Sequence, residues 1–84
     1  MAKDESMHYV YILKLSNNSN YVGQTSDLKN RIKDHNKGNT NHTKKFLPVK
    51  LIFYCAFESK KKALNFEKYL KSGSGKAFKK KRLI

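Results

Sequence analysis

The stretch Tyr9-Val10-Tyr11-Ile12-Leu13-Lys14-Leu15-Ser16-Asn17-Asn18-Ser19-Asn20-Tyr21-Val22-Gly23 decides the fold. Apart from Lys14, Tyr9 to Leu15 is apolar on both alternation faces, with β-branched and aromatic residues prominent. That pattern predicts a central strand covered on both sides. Asn17-Asn18 supplies a hairpin turn because Asn tolerates positive φ. Tyr21-Val22-Gly23 reads as the returning strand, with Gly23 permitting a kink or the close approach of a partner. In an antiparallel pair, opposite residues share a face and their numbers have a constant sum. A two-residue loop, Asn17-Asn18, makes that sum odd and separates Tyr11 from Tyr21. A three-residue loop, Asn17 to Ser19, makes it even and puts both rings on one face. The odd-length loop is the expectation.

Downstream, Ser26 is a natural N-cap, Asp27 suits the first helical turn and Gly38 is a natural stop. At 100° per residue, Leu28 and Ile32 form the apolar stripe of this helix. Arg31 falls about 60° and His35 about 20° to one side of Leu28, so both point toward the core or a cleft. Lys29, Lys33 and Asp34 face solvent. An inward arginine must find an acceptor, because an unpaired buried charge is costly. Asn39 to Leu47 reads as a solvated basic loop, with Lys44 and Lys45 available to phosphate.

Pro48 opens a strand from Val49 to Phe57. Ser59 caps a second helix running to Gly73, with the stripe Ala63, Phe66 and Leu70. Glu67 lies about 40° from Ala63 on that stripe. Lys60, Lys61 and Lys62 oppose the helix dipole, each by about 0.3–1 kcal/mol, an arrangement that a phosphate would relieve. Ser72-Gly73-Ser74-Gly75 reads as a stop and turn. A terminal helix, Lys76 to Ile84, should dock Phe78 and Leu83 or Ile84, leaving Lys76, Lys79 and Lys80 for sequence-independent phosphate attraction.

Eighty-four residues with 38% hydrophobic content make one small domain, residues 8–84, behind a flexible polar tail, residues 1–7. Nineteen Lys and Arg against six Asp and Glu give a formal net charge of +13. An anionic partner is the natural counterpart of such a charge, and nucleic acid fits better than a membrane. The apolar run Leu51–Phe57 is too short to span a bilayer, and the N-terminus lacks a signal-peptide pattern. The single Cys55 cannot form an intrachain disulfide, suits a reducing cytoplasm, and sits in a strand as a core residue.

The carboxylates narrow the chemistry. Asp4 and Glu5 belong to the tail, Asp27 to a helix start, Asp34 to solvent and Glu58 to a strand–helix junction. Glu67 alone is core-facing, too little for a two-metal centre. One carboxylate, water and phosphate oxygens suit a hard cation such as Mg²⁺, or Mn²⁺. Zinc is disfavoured by one Cys and by the spacing of His8, His35 and His42. A tyrosine becomes a base if nearby positive charge lowers its pKa. Arg31 can hold a phosphate, and His35 can relay a proton or position a tyrosine.

Taken together, these residues resemble the GIY-YIG endonuclease family. Tyr9-Val10-Tyr11 resembles its first signature and Tyr21-Val22-Gly23 its second, while Arg31, His35 and Glu67 match its helix residues. The resemblance extends from His8 to about Leu83 and is closest to the compact branch similar to the catalytic domain of the excision-repair incision subunit. It implies an α+β fold, a small, mainly antiparallel three-stranded sheet flanked by helices. It also implies metal-dependent hydrolysis of DNA, with RNA left open, in repair or branched-DNA processing. Tyr11 and Tyr21 would be the catalytic tyrosines, either one the base, Arg31 the phosphate clamp, His35 the helper and Glu67 the metal ligand. Two positions depart from the pattern. Tyr9 replaces the first signature's glycine, and no asparagine follows Glu67, leaving Ser72 or Ser74 as stand-ins. The other readings are a non-catalytic nucleic-acid binder on the same scaffold and a ribosome-associated basic protein. Cytoplasmic residence, near the nucleoid, is expected.

Overall fold

The computed structural model describes residues 7–84. The tail expected over residues 1–7 therefore lies, Met7 excepted, outside the described residues. Three strands, β1 (His8–Lys14), β2 (Asn20–Thr25) and β3 (Lys50–Phe57), combine with helices α1 (Leu28–Asn36), α2 (Lys60–Lys71) and α3 (Gly73–Arg82). The sheet is antiparallel throughout, in the order β2-β1-β3, so the first strand is central as its two-faced apolar pattern requires. The fold is α+β.

Each face of β1 has its own core. Val10 and Ile12, with Val22, pack against Ala63 and Leu70 of α2, flanked by Phe66, Cys55 and Leu83. Tyr11 and Leu13, with Leu15 and Val49, pack beneath Leu28 and Ile32 of α1. Val10 through Leu13 are fully buried. At about 1.5–3 kcal/mol for each large apolar side chain removed from water, β1 is the chief hydrophobic anchor. Cys55 is a partly buried member of the first core, and its burial pushes the thiol up.

The hairpin has the even register. Tyr11 pairs with Gly23 and Leu13 with Tyr21, so the paired numbers sum to 34 and both tyrosines share a face. The turn falls one residue earlier than expected. Leu15 N–H donates to the Ser19 carbonyl at 2.9 Å, Asn18 N–H donates to the Leu15 carbonyl at 2.9 Å, and Asn18 takes φ 69°. The three-residue loop is thus Ser16–Asn18, a turn closed by a left-handed residue, and Asn18 tolerates that conformation better than Ser19 would. On the other side, Ile12 pairs with Phe53 and Leu13 with Leu51, leaving Ile52 as a bulge.

Helix boundaries depart from the sequence reading in two places. Asp27, not Ser26, caps α1: its carboxylate accepts the Asn30 backbone N–H at 3.3 Å and the Asn30 amide at 2.7 Å. A carboxylate also complements the helix dipole better than a hydroxyl. The helix ends as Gly38 predicts, at φ 79°, with Gly38 N–H on the His35 carbonyl and Asn39 N–H on that of Asp34. Asp34 is half-buried rather than facing open solvent.

The second departure is the Ser72–Gly75 segment, which is no separate turn. Helix α2, capped by Ser59 as expected, stops at Lys71, and α3 begins at Gly73. Ser72 serves both ends, its hydroxyl donating to the Tyr69 carbonyl at 2.6 Å and accepting Gly75 N–H at 3.1 Å. Leu83 docks on the first core as expected. Phe78 docks only in part, leaning on the Tyr69 ring at 5.9 Å and keeping 37% of its surface exposed, and Ile84 is 48% exposed.

Candidate active site

The even register sets the Tyr11 and Tyr21 rings side by side, centroids 6.3 Å apart. Gly23, opposite Tyr11, makes this possible. A Cβ there would overlap the Tyr11 hydroxyl and its ring, so the close partner that Gly23 admits is Tyr11 itself. Above them, α1 brings down two side chains one turn apart. His35 Nε2 lies 2.9 Å from the Tyr11 hydroxyl oxygen, and Arg31 Nε–H donates to the same oxygen at 3.4 Å. The His35 ring also meets Tyr21 edge-on at 5.2 Å, and the exposed His42 ring lies 5.9 Å from that of Tyr21.

The far side of His35 reveals a residue that pattern reading passed over. His35 Nδ1 is 2.7 Å from the Thr43 hydroxyl, and both residues are fully buried. The segment expected to be a solvated loop therefore closes the site from behind. Thr40 is buried too, and its carbonyl accepts the Thr43 and Lys44 N–H groups at 3.2 and 3.0 Å.

Burial raises the Tyr11 pKa, Arg31's hydrogen bond pulls it down, and the charges of Tyr21 and Glu67 push it up. Burial prevails, so the expected depression of this tyrosine's pKa is not found in the resting protein. Burial also lowers His35, reinforced by Arg31 and opposed by Asp34, which keeps the imidazole neutral near pH 7. Arg31 is driven further toward its cationic form, chiefly by its bond to Tyr11.

A neutral imidazole carries one ring proton, so the Thr43–His35–Tyr11 chain has two settings. Tyr11 can donate to Nε2 while Nδ1–H donates to Thr43. Alternatively, Thr43 donates to Nδ1 and Nε2–H donates to Tyr11. Only the second agrees with an ionised Tyr11, whose oxygen then accepts N–H groups from both His35 and Arg31.

Glu67 approaches from α2. Its side chain is 19% exposed and its Oε2 accepts from Lys71 Nζ at 3.0 Å. Its charge is felt at Tyr11, but among the described residues no hydrogen bond joins it to the other four. No group of three or more His, Cys, Asp or Glu side chains able to hold a metal occurs among the described residues. A single half-buried carboxylate fits a hard divalent cation whose remaining ligands are water and substrate phosphate. Ser72 is not free to replace the family's asparagine, because its hydroxyl is engaged at the α2–α3 junction. Ser74 is exposed.

The cations named for phosphate contact are distributed rather than gathered. Lys44 and Lys45 are exposed on the short 3-10 turn after Thr43, and Lys60, Lys61 and Lys62 on the first turn of α2. Lys76 and Lys80 are exposed on α3, whereas Lys79 is half-buried, its pKa lowered by burial and by Lys76. Among the described residues no helix is long and apolar enough to cross a membrane.

Comparison with known proteins agrees with this fold. The GIY-YIG catalytic domain profile matches residues 7–82. A UPF0213 protein of Clostridium perfringens is 46% identical over 66 residues, 77% of this chain and 71% of that one. The UPF0213 protein YazA of Bacillus subtilis is 43% identical over 65 residues, 76% of this chain and 66% of that one. The solution NMR structure of a UPF0213 protein from Bacillus halodurans superposes with a TM-score of 0.55 at 37% identity, covering 86% of this chain and 80% of that one. With both signature strands, the helix pair and the α2 glutamate falling inside the matched region, this chain belongs to the GIY-YIG family.

Proposed function

We propose that the protein is an endonuclease hydrolysing DNA phosphodiester bonds with Mg²⁺ or Mn²⁺, in repair or on branched DNA. The nuclease family supports a nucleic-acid substrate. The observation that carries the reading is the convergence of His35 Nε2 and Arg31 Nε–H on the Tyr11 oxygen, both of them donors to it in the setting where Nε2 carries the ring proton. Two donors stabilise an oxyanion, and simple packing of a buried tyrosine has no need of them. In this reading Tyr11 is the base. Having first lost its own proton to solvent, the ionised Tyr11 takes a proton from water while Thr43 and His35 hold their donor setting and Arg31 faces the developing phosphate charge. Glu67 would hold the cation, which when bound supplies positive charge to the phosphate and to nearby ionising oxygens. Tyr21 packs against His35 and orients the water. The protein works in the cytoplasm on nucleoid DNA, where the unpaired Cys55 stays reduced.

Labelled flap, nicked and duplex DNA incubated with Mg²⁺ test this. Glu67→Ala should abolish cleavage while leaving binding intact, and Tyr11→Phe should do the same. Cleavage by Glu67→Ala at the parental rate would refute the assignment. The hold of Lys71 on Glu67 and the missing asparagine favour one other reading, a non-catalytic nucleic-acid binder. Binding without cleavage of any of the three substrates would establish it.

A further inference from the structure

Helix α1 is a ridge across one face of the sheet. Arg31 and His35 point down its β2 side, into the candidate active site. On its β3 side lies a groove of about 920 Å³, whose lining includes neither tyrosine of the active site nor Arg31, His35 and Glu67. Its floor is apolar, from Leu28, Ile32 and Leu51, and its rim carries Lys29 and Lys33. The outer wall is aromatic, formed by Tyr9 and Tyr54 with ring centroids 6.3 Å apart. Tyr54 is 54% exposed, the most exposed of the large hydrophobic side chains among the described residues. The one carboxylate in the lining, Asp27, is engaged by Asn30. Tyr9 stands where the family signature has glycine, so this wall is a feature of the present chain and not of the signature.

We infer that this groove receives an unpaired nucleotide of the substrate strand, its base stacked on Tyr54 beside the tilted Tyr9 ring and its phosphates near Lys29 and Lys33. An aromatic pair with one exposed and one half-buried ring, rimmed by cations on a protein of charge +13, is the kind of surface on which single strands are held. A duplex keeps its bases stacked inside and has no ring to offer such a wall. The groove also adjoins the site. Tyr9 and Tyr11 lie on the same face of β1, two residues and about 7 Å apart, so one strand can occupy both. The inference rests on the nucleic-acid reading above and narrows its substrate to DNA with an unpaired segment beside the cut.

Binding of the full chain in EDTA, followed by fluorescence anisotropy, tests the groove without requiring cleavage. The probes are a labelled thymidine oligonucleotide of about a dozen nucleotides and a duplex of equal length. Tyr54→Thr, which keeps a strand-forming residue, should weaken single-strand binding by about 5- to 150-fold, the loss expected for one stacked base. Duplex affinity should change less than twofold, and Tyr54→Phe should bind as the parent does. Lys29→Glu with Lys33→Glu should also weaken single-strand binding more than duplex binding. Equal losses on both probes, or none on either, would overturn the inference. So would a dimer in sedimentation that Tyr54→Thr dissociates, since a second copy would then fill the groove. A protein that binds this way yet never cuts DNA would refute the nuclease proposal and leave the groove standing.

Discussion

Thr43 lets His35 adopt either proton arrangement, because its hydroxyl can donate or accept, and so supports an ionised Tyr11 as well as a neutral one. Replacing its hydroxyl with the methyl of valine keeps the volume and leaves His35 Nδ1 facing an apolar wall. An unsatisfied buried polar atom costs about 1–3 kcal/mol. Thr43→Val should therefore lower the melting temperature and reduce kcat about tenfold with KM little changed, while Thr43→Ser restores both; steady-state kinetics and thermal melts check it. The same burial gives His35 a pH signature. Its pKa is lowered in the folded protein, so below the ordinary value, about 6.5, the unfolded chain binds more protons than the folded one. Stability from this group is present above that pH and lost as pH falls through the folded value. Melting temperatures from pH 7.5 down to 5 should decline, and more shallowly in His35→Gln. Tyr11, Tyr21, Arg31 and His35 were legible because strand parity and the helical wheel assign each a direction. Thr43 was not, since an aperiodic polar loop gives no such direction and its burial depends on a helix eight residues back.

The helices show where local chemistry outruns composition. A Ser-Gly-Ser-Gly run reads as a break, yet Ser72 closes one helix and opens the next with a single hydroxyl. The two glycines of α3 then differ sharply. A Cβ at Gly75 would collide with the Tyr69 carbonyl, whereas one at Gly73 would meet nothing within 4 Å. Gly75→Ala should destabilise by about 1–3 kcal/mol, as overpacking does. Gly73→Ala should stabilise by about 0.4–1 kcal/mol through a less flexible unfolded chain. Urea denaturation separates the two signs. Sequence alone located α2 and its cap because an N-cap serine precedes a clear apolar stripe. The short, lysine-rich α3 has a weaker stripe, and its first turn depends on a contact made in space.

At the scale of the molecule, exposed lysines lie on α2, on α3 and on the turn after Thr43, so charge attracts the substrate broadly while the buried tyrosine chain sits in one place. Affinity for DNA should fall linearly on a log–log plot against salt, since each phosphate neutralised releases counterions. A titration from about 50 to 200 mM salt that left affinity unchanged would contradict this. The central strand and its two covered faces followed from the hydrophobic pattern, and the register parity from an odd-length loop. The groove beside α1 did not, because a concavity depends on how two elements splay. The Lys71–Glu67 pair has a consequence for the order of events. Lys71, 53% exposed, already offsets the charge of the carboxylate in the resting domain. A divalent ion held by Glu67 would compete with that ammonium for the carboxylate. The incoming phosphate favours the exchange twice, as an alternative resting place for Lys71 and as further oxygen ligands for the ion. Metal and DNA should thus arrive as a couple, each raising the other's affinity by the same factor.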